Sequence, residues 1–351
     1  MRPPPSIASS LAGVLLALTT ACGPGGDEAA PGSDTNGTAG TMESGAESGA
    51  ERGAESDAQS GMGSAAGEAF VDGPDLWLAD LTYDDDGRPV LGRGRNVTAR
   101  AGYDNQPKFL PDGSILYTRG VGDRTDIWRY DPATDTHAAV TATPDQSEYS
   151  ATPTPDGAGF SAIVVEPDSL QRLWRFDLDG SKGGPIFEDI APVGYHAWAN
   201  DSTVLMYVLG DTATLQRAVS RGPATPGPGE IVDLFVERSL NRVPDREAVS
   251  YMSRFGFDGG DFNIIGATGE PTAFWGGGLV GGPDHAWTPG GELLFGSRAT
   301  LVSVRPATEG PLWNSGIQRA GTLADTTLVI SRLAVSDDGS SIVLVVERPQ
   351  D

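Results

Sequence analysis

Between residue 71 and the end of the chain, short apolar segments alternate with polar turns at a regular spacing. Six times, a turn rich in Pro, Asp or Gly precedes an apolar run, as Pro111-Asp112-Gly113 does before residues 114–118. The equivalent turn positions are residues 112, 156, 201, 245, 290 and 338, which are 44, 45, 44, 45 and 48 residues apart. A period of roughly 40–50 residues made of short strands and turns is typical of a β-propeller, so each repeat predicts one four-stranded blade.

The segments between these turns alternate apolar and polar side chains, which is the period of a strand. Residues 126–131 and 172–177 carry this pattern, and residues 75–80 carry a third copy. The last repeat, 331–347, contains only two strands. Strands near 75–82 and 90–98 are therefore expected to complete its blade, which leaves no open sheet edge in the ring. The sequence predicts an all-β fold, a six-bladed β-propeller over residues 71–351 that is closed by pairing of its N- and C-terminal strands.

The first 70 residues have a different composition. An apolar stretch over residues 7–21, too short to span a bilayer comfortably, follows Arg2 and precedes Cys22. This arrangement resembles a bacterial lipoprotein signal, which implies that residues 1–21 are removed and that Cys22 is lipidated; the alternative is an ordinary secretory signal before a free cysteine. Either signal implies export, and the lipoprotein interpretation places the protein in the bacterial cell envelope, on the periplasmic side of the outer membrane or at the cell surface.

Residues 22–70 are rich in Gly, Ala, Ser and Glu and contain imperfect copies of GAES. Such a segment buries too little apolar surface to offset the entropy lost on ordering. We expect it to be a disordered, acidic tether between the membrane and the propeller.

The composition disfavours several classes of function. The chain has 24 Lys and Arg against 48 Asp and Glu, and its formal net charge is −24. This charge disfavours a nucleic-acid partner, and it leaves the lipid anchor as the expected membrane contact. A single cysteine excludes an intramolecular disulfide and a cysteine-based zinc site. The sequence has no G-x-S-x-G, Walker A or H-E-x-x-H motif, so we expect no catalytic activity and no cofactor.

The repeats also resemble those of a known family. Residues 105–113, 149–157 and 333–339 are similar to the repeats of TolB-type propellers, which occur as well in the propeller domains of prolyl oligopeptidases. The resemblance covers residues 71–351 and is weakest in the fourth repeat. It implies a six-bladed propeller that engages an envelope protein or peptide. TolB itself has an additional α/β domain before its propeller, so the identity of a partner does not transfer.

Two of the three histidines occupy equivalent positions. His196 and His285 each lie five residues before the turn position of their repeat, at the predicted start of the innermost strand. That strand lines the central channel of a propeller. One interpretation is packing, with each imidazole hydrogen-bonded to a neighbouring strand. A second is contact with a ligand, and a third is a metal-dependent lyase or hydrolase built on both rings.

The position six residues before each turn is polar in all six repeats: Gln106, Ser150, Tyr195, Ser239, Asp284 and Arg332. A buried strand would not begin in this way, so we expect a wet end of the channel, which either binds a ligand or holds water. The predicted channel-face residues are Tyr103, Asn105, Gln106, Glu148, Tyr149, Ser150, Tyr195, His196, Arg238, Asn241, Asp284, His285 and Arg332. Their aromatic, amide and charged groups favour a protein or peptide ligand, with a glycan or a small molecule as the alternative.

Overall fold

A computed structural model describes residues 61–62, 73–254, 261–276, 284–306 and 317–349. These residues form 25 β-strands, which pair into six sheets. Within the described ranges there is no helix, and hence no helix of the length and apolarity that a membrane span requires. The predicted signal peptide, Cys22 and most of the predicted tether lie outside the described residues. The described part of the tether, residues 61–62, forms a strand that pairs with the propeller, contrary to the expectation of disorder.

We number the strands along the chain, beginning with β1 (Gly61–Met62), β2 (Asp75–Tyr83) and β3 (Pro89–Asn96). Blade 1 contains β4 (Asp104–Phe109), β5 (Ile115–Val121), β6 (Arg124–Asp131) and β7 (Thr136–Ala139). Blade 2 contains β8 (Ser147–Pro153), β9 (Gly159–Val165), β10 (Gln171–Asp177) and β11 (Lys182–Pro185). Blade 3 contains β12 (Val193–Trp198), β13 (Thr203–Val208), β14 (Thr214–Val219) and β15 (Glu230–Leu234).

Blade 4 contains β16 (Val236–Arg242), β17 (Ala248–Ser253), β18 (Asp261–Gly266) and β19 (Thr272–Gly276). Blade 5 contains β20 (His285–Trp287), β21 (Leu293–Ser297), β22 (Thr300–Val304) and β23 (Ile317–Leu323), and β1 pairs in parallel with its outer strand β23. Blade 6 contains β24 (Val329–Val335), β25 (Ser341–Glu347) and then β2 and β3.

Blade 6 closes the ring as the sequence predicts. Strand β2 pairs antiparallel with β25, with Trp77 opposite Leu344, so that segments from the two ends of the propeller form one sheet. The first strand of each blade, from β4 through β24, adjoins the first strand of the next blade around the channel. The prediction of an all-β, six-bladed propeller is confirmed.

The hydrophobic core lies between the blades rather than within them. Six apolar clusters are present among the described residues, and each combines side chains from two neighbouring blades. Trp198 of β12, for example, packs with Ile163 and Leu173 of blade 2. Because successive side chains of a strand point to opposite faces of the sheet, each blade buries both faces against its neighbours.

The turns that set the period follow from local chemistry. In the turn between β4 and β5, Asp112 Oδ1 accepts a hydrogen bond from the backbone N of Ser114 at 3.0 Å, and Gly113 has a φ of +83°. Glycine adopts this left-handed conformation without the steric cost that a side chain would add. Each such turn connects the innermost strand of a blade to its second strand, so all six turns lie at one end of the channel. We call this the turn end, and the opposite end the entry end.

Candidate functional site

The structure brings the six residues that lie six before each turn together around the channel. All six border one narrow space of about 60 Å³: Gln106, Ser150, Tyr195, Ser239, Asp284 and Arg332. We call this set the entry layer. The same space is bordered by His196, Arg238, Asn241 and His285, so nine of the thirteen predicted channel-face residues surround it.

The entry layer is closed by its own side chains. Arg332 of blade 6 donates from Nη2 to the hydroxyl of Tyr195 on the opposite blade 3, at 3.0 Å. Arg332 Nη1 is also 3.3 Å from Asp284 Oδ1, and Arg238 Nη2 is 3.1 Å from Asp284 Oδ2. Tyr103 lies close enough to this cluster for the charge of Arg332 to act on its hydroxyl. Burial raises the pKa of Tyr103 to about 12, and the charge of Arg332 acts in the opposite direction. The entry end therefore carries a cross-channel network rather than an open pocket.

Two members of the entry layer have unusual backbone conformations. Gln106 and Ser150 each have a φ of +56°, and the pairing register of β4 and β8 shifts at these residues. Asn105 Oδ1 accepts the backbone N of Gln106 at 2.7 Å, and Gln106 Oε1 accepts the backbone N of Ser150 at 2.9 Å. These bonds hold non-glycine residues in a left-handed conformation that costs about 1–3 kcal/mol, and such conformations are concentrated at functional sites.

Four of the predicted channel-face residues lie outside the narrow space. Asn105 is joined to the entry layer by its hydrogen bond with Gln106, and Tyr103 lies where the charges of Arg332 and Arg238 act on its pKa. Tyr149 donates its hydroxyl to Gln171 Oε1 at 2.8 Å and packs in the cluster between blades 2 and 3. Glu148 is fully buried, 3.4 Å from Lys182 Nζ, and it accepts a hydrogen bond from Thr141 at 3.2 Å. The assignment of Glu148 to the channel face was wrong, because its carboxylate is taken up by a lysine of the outermost strand of its own blade.

A second layer lies two residues farther along each inner strand, four residues before the turn. We call it the middle layer, and its members are Lys108, Thr152, Ala197, Asn241, Ala286 and Ala334. Lys108 of blade 1 donates from Nζ to Asn241 Oδ1 of the opposite blade 4, at 2.9 Å. Burial lowers the pKa of Lys108 to about 8, although the charge of Asp284 acts in the other direction.

Beyond the middle layer, the channel widens into a cavity of about 690 Å³ at the turn end. Aromatic and proline side chains form part of its wall: Phe109, Pro153, Pro155, Trp198, Pro244, Trp287 and Pro289. Charged side chains form another part: Arg242, Asp245, Arg246, Glu247 and Asp337. Lys108, Asn241 and His196 border both this cavity and the narrow space. The sequence placed the candidate binding face at the entry end, whereas the larger cavity opens at the turn end.

The two histidines are parts of equivalent interblade clusters. Trp198 Nε1 donates to Ser161 Oγ at 2.9 Å, and the same hydroxyl lies 2.7 Å from His196 Nε2. In the equivalent cluster, Trp287 Nε1 donates to Ser250 Oγ at 2.8 Å, and that hydroxyl lies 2.8 Å from His285 Nε2. In both cases, the serine belongs to the second strand of the preceding blade. The geometry agrees with the packing interpretation of these histidines.

The same contacts disfavour the metal interpretation. Both ring nitrogens of His285 lie within hydrogen-bond distance of serine hydroxyls, since Nδ1 is 3.1 Å from Ser239 Oγ. In the described part of the chain, no group of three His, Cys, Asp or Glu side chains is placed to hold a metal ion. Burial, with a smaller contribution from the charge of Lys108, lowers the pKa of His196 to about 3, so its imidazole is neutral at pH 7.

Comparison with solved structures identifies the fold. A putative TolB from Agrobacterium tumefaciens superposes with a TM-score of 0.56 at 12% identity, over 79% of this chain and 99% of that one. TolB from Acinetobacter baumannii superposes with a TM-score of 0.50 at 13% identity, over 79% of this chain. The chain has a TolB-like propeller fold.

This TolB-like propeller covers 65% of the Acinetobacter protein, which is less than two thirds of its length. A gluconolactonase from Xanthomonas campestris is also similar, with a TM-score of 0.53 at 10% identity, over 76% of this chain and 95% of that one. No protein-family model and no curated protein matches the sequence. At these identities the similarity establishes the fold, and the function has to be argued from the residues of this chain.

Proposed function

We infer that this TolB-like propeller is a non-catalytic binding protein that holds a segment of polypeptide in the cavity at the turn end of its channel. The observation that carries this proposal is the cavity itself, which measures about 690 Å³ and lies at the centre of the ring. Binding sites for small ligands and short segments have volumes of roughly 300–1,000 Å³. A polypeptide segment that enters the channel from the turn end would contact several blades at once.

The wall of the cavity suits a peptide better than a purely polar or purely apolar ligand. Trp198, Trp287 and Phe109 offer flat apolar surfaces against which side chains of a peptide would pack. The wall offers hydrogen-bond donors to a peptide backbone from Arg242 and Arg246. It offers acceptors from Asp245 and Glu247. Aromatic residues together with arginine are the side chains that dominate binding energy at protein interfaces.

The burial of the Ser–His pairs supports a function without covalent chemistry. Ser161 beside His196 and Ser250 beside His285 have the residue types of a nucleophile and its base, but both serines have no exposed surface. Each serine hydroxyl also accepts a hydrogen bond from a tryptophan indole. A nucleophile must reach the reacting carbon of its substrate, so these hydroxyls are placed for packing between blades rather than for attack.

We further propose that the propeller works at the bacterial cell envelope. The support is the sequence pattern of residues 1–22, which resembles a lipoprotein signal that ends at Cys22, followed by the acidic segment 22–70. We propose that this segment connects the propeller to the membrane in which its lipid is inserted, so that the propeller reaches partners at a distance from that membrane.

Site-specific photo-cross-linking tests the proposed binding surface. Benzoylphenylalanine would replace Asp337, an exposed residue that borders the cavity, and, in the control, Ala133, an exposed residue in the turn between β6 and β7. We expect envelope extract to give a discrete protein adduct with the first probe and none with the second. An excess of an acetylated hexapeptide pool should suppress the adduct, whereas a pool of envelope polysaccharides should not. Equal labelling at both positions, or suppression by the polysaccharides alone, would contradict the proposal.

A further inference from the structure

The channel of this acidic protein carries an excess of positive charge. The formal net charge of the whole chain is −24. The residues around the narrow space nevertheless include three basic side chains, Lys108, Arg238 and Arg332, and one acidic side chain, Asp284. Both arginines contact Asp284 at distances of 3.1–3.3 Å. The local charge therefore favours an anion at this point of the channel.

Lys108 is the basic residue whose charge is left without a direct counter-ion. Its Nζ donates to the amide oxygen of Asn241, and no ion pair within 4.0 Å joins it to a carboxylate of the described residues. Asp284, the carboxylate whose charge acts on Lys108, is already shared by two arginines. Lys108 is half-buried. An ammonium group has three N–H donors, and a cation that is partly removed from water without an anion is costly to the fold. Lys108 borders the floor of the large cavity, where a ligand would meet it.

A comparison of the two histidine clusters identifies further donors beside Lys108. Around His285, Nδ1 lies 3.1 Å from Ser239 Oγ, so each of these polar atoms has a partner. The equivalent atoms in the other cluster are His196 Nδ1 and Ser150 Oγ. His196 precedes His285 by 89 residues, and Ser150 precedes Ser239 by the same number. Both of these atoms are buried, and neither has a hydrogen-bond partner in the described residues. His196 and Ser150 both border the narrow space that Lys108 also borders.

The contacts of Ser161 assign the proton of the His196 imidazole. Ser161 Oγ accepts from Trp198 Nε1, and its own proton has two possible acceptors, His196 Nε2 at 2.7 Å and Thr152 O at 3.3 Å. We assign the proton to the nearer acceptor. Neutral imidazole carries one N–H, so Nδ1 of His196 is then a donor. Lys108, His196 and Ser150 together provide an ammonium, an N–H and a hydroxyl donor.

We propose that Lys108, His196 and Ser150 form a carboxylate-binding site in the narrow space next to the turn-end cavity, and that the carboxylate is the C-terminal group of a bound peptide. The peptide identity of the ligand rests on the proposed function, whereas the carboxylate site does not. A carboxylate accepts only, and its two oxygens accommodate three or four donors. All three residues border a space of about 60 Å³, which leaves room for such a group, while the remainder of the ligand would lie in the larger cavity.

The chain offers a specific probe for this site, because Lys108 and Lys182 are its only lysines. Full-length protein labelled with ¹³C at the lysine ε-carbons would give two lysine signals, and a Lys182→Arg variant would assign them. Acetate is the first ligand to add. We expect acetate to shift the Lys108 signal and to raise its titration midpoint by at least one pH unit, with no effect on Lys182. Phosphate that shifts Lys108 while acetate does not would overturn the assignment of a carboxylate.

The peptide arm of the experiment separates the carboxylate site from the proposed function. An acetylated hexapeptide pool with free C-termini and the same pool with amidated C-termini would each be titrated, with binding followed by tryptophan fluorescence. We expect amidation, Lys108→Met and Ser150→Ala each to weaken binding of the free-acid pool, by tenfold or more for the first two. Equal binding of both pools would overturn the carboxylate site and leave the peptide function standing. Acetate binding at Lys108 with no binding of either pool would support the carboxylate site and overturn the peptide function.

Discussion

Lys108 and Asn241 meet across the central channel, with Lys108 Nζ 2.9 Å from Asn241 Oδ1, although 133 residues separate them in the chain. They occupy equivalent positions in blades 1 and 4, which face each other in a ring of six. The other four members of the middle layer are Thr152, Ala197, Ala286 and Ala334, whose side chains are too short to reach a partner across the ring. One hydrogen bond therefore separates the narrow entry layer from the cavity at the turn end.

The partial burial and lowered pKa of Lys108 predict that its removal stabilises the protein. The difference between the usual pKa of 10.5 and a pKa of about 8 in the fold corresponds to about 3 kcal/mol at pH 7, and loss of the bond to Asn241 offsets about 1 kcal/mol. Lys108→Met is expected to raise the free energy of unfolding in urea by about 1–2 kcal/mol at pH 7. Lys182→Met is the control, and it should destabilise the protein because it leaves the buried Glu148 without a counter-ion.

The pH dependence of the unfolding free energy, compared between the native chain and Lys108→Met, provides a second readout. Between pH 8 and 10.5, the unfolded chain retains the Lys108 proton that the folded protein releases. The unfolded state then binds more protons, so the stability of the native chain should rise with pH over this range. The Lys108→Met variant should lack this increment. A constant difference in unfolding free energy between the two proteins from pH 7 to pH 10 would contradict the burial of a charged lysine.

The serine hydroxyls between tryptophan and histidine are expected to be important for stability. Ser161→Ala would leave a buried donor, Trp198 Nε1, and a buried acceptor, His196 Nε2, without the hydroxyl that they share. We expect a loss of about 2–3 kcal/mol in urea denaturation, and a similar loss for the equivalent Ser250→Ala. Ser150→Ala removes a hydroxyl that has no partner in the described residues, so its effect should stay within about 0.5 kcal/mol. Equal effects at positions 150 and 161 would argue against these clusters.

His196 should make the protein sensitive to acid. Its pKa is about 3 in the fold against 6.5 ordinarily, so between these values the unfolded chain binds the proton and the folded protein does not. The contribution of the neutral His196 imidazole to the free energy of unfolding is fully present above pH 6.5 and decreases as the pH falls towards 3. The difference in unfolding free energy between the native chain and His196→Gln should shrink by about 2 kcal/mol from pH 7 to pH 4.5. A difference that does not depend on pH would show that His196 is accessible to protons. His137→Gln is the comparison for an imidazole whose pKa is lowered and whose Nδ1 faces Tyr117.

Much of the ring followed from the spacing of six turns. That spacing predicted the number of blades, the closing pair of strands and the residues of the entry layer, because a hairpin turn fixes the register of the strands on both sides. The rotation of individual side chains was harder to predict. Residues five and six before a turn point to opposite sides of the inner strand, so the rings of His196 and His285 reach serines of the preceding blade, whereas Tyr195 and Asp284 join the network across the channel.

Which end of the channel is open, the entry end or the turn end, was not predictable from the repeats alone. It depends on whether long side chains on opposite blades meet, as Arg332 and Tyr195 do in the entry layer. One signal was available in the sequence, since the position four before each turn holds a lysine in the first repeat and small or amide residues in the others. The pairing of Glu148 with Lys182 involves the outermost strand, which no repeat position indicated.

Calorimetric titration with the acetylated hexapeptide pool measures whether the turn-end cavity binds a peptide. Thr152 is a half-buried member of the middle layer that borders the cavity, so Thr152→Phe would fill the space that a peptide is proposed to occupy. Thr136→Phe, at an exposed position in the outer strand β7, is the matched control. We predict that the native chain and Thr136→Phe bind the pool alike, and that Thr152→Phe binds at least tenfold more weakly with an unchanged melting temperature, a loss of about 1.4 kcal/mol or more. Equal binding by all three proteins would contradict the account, and so would the absence of binding by the native chain.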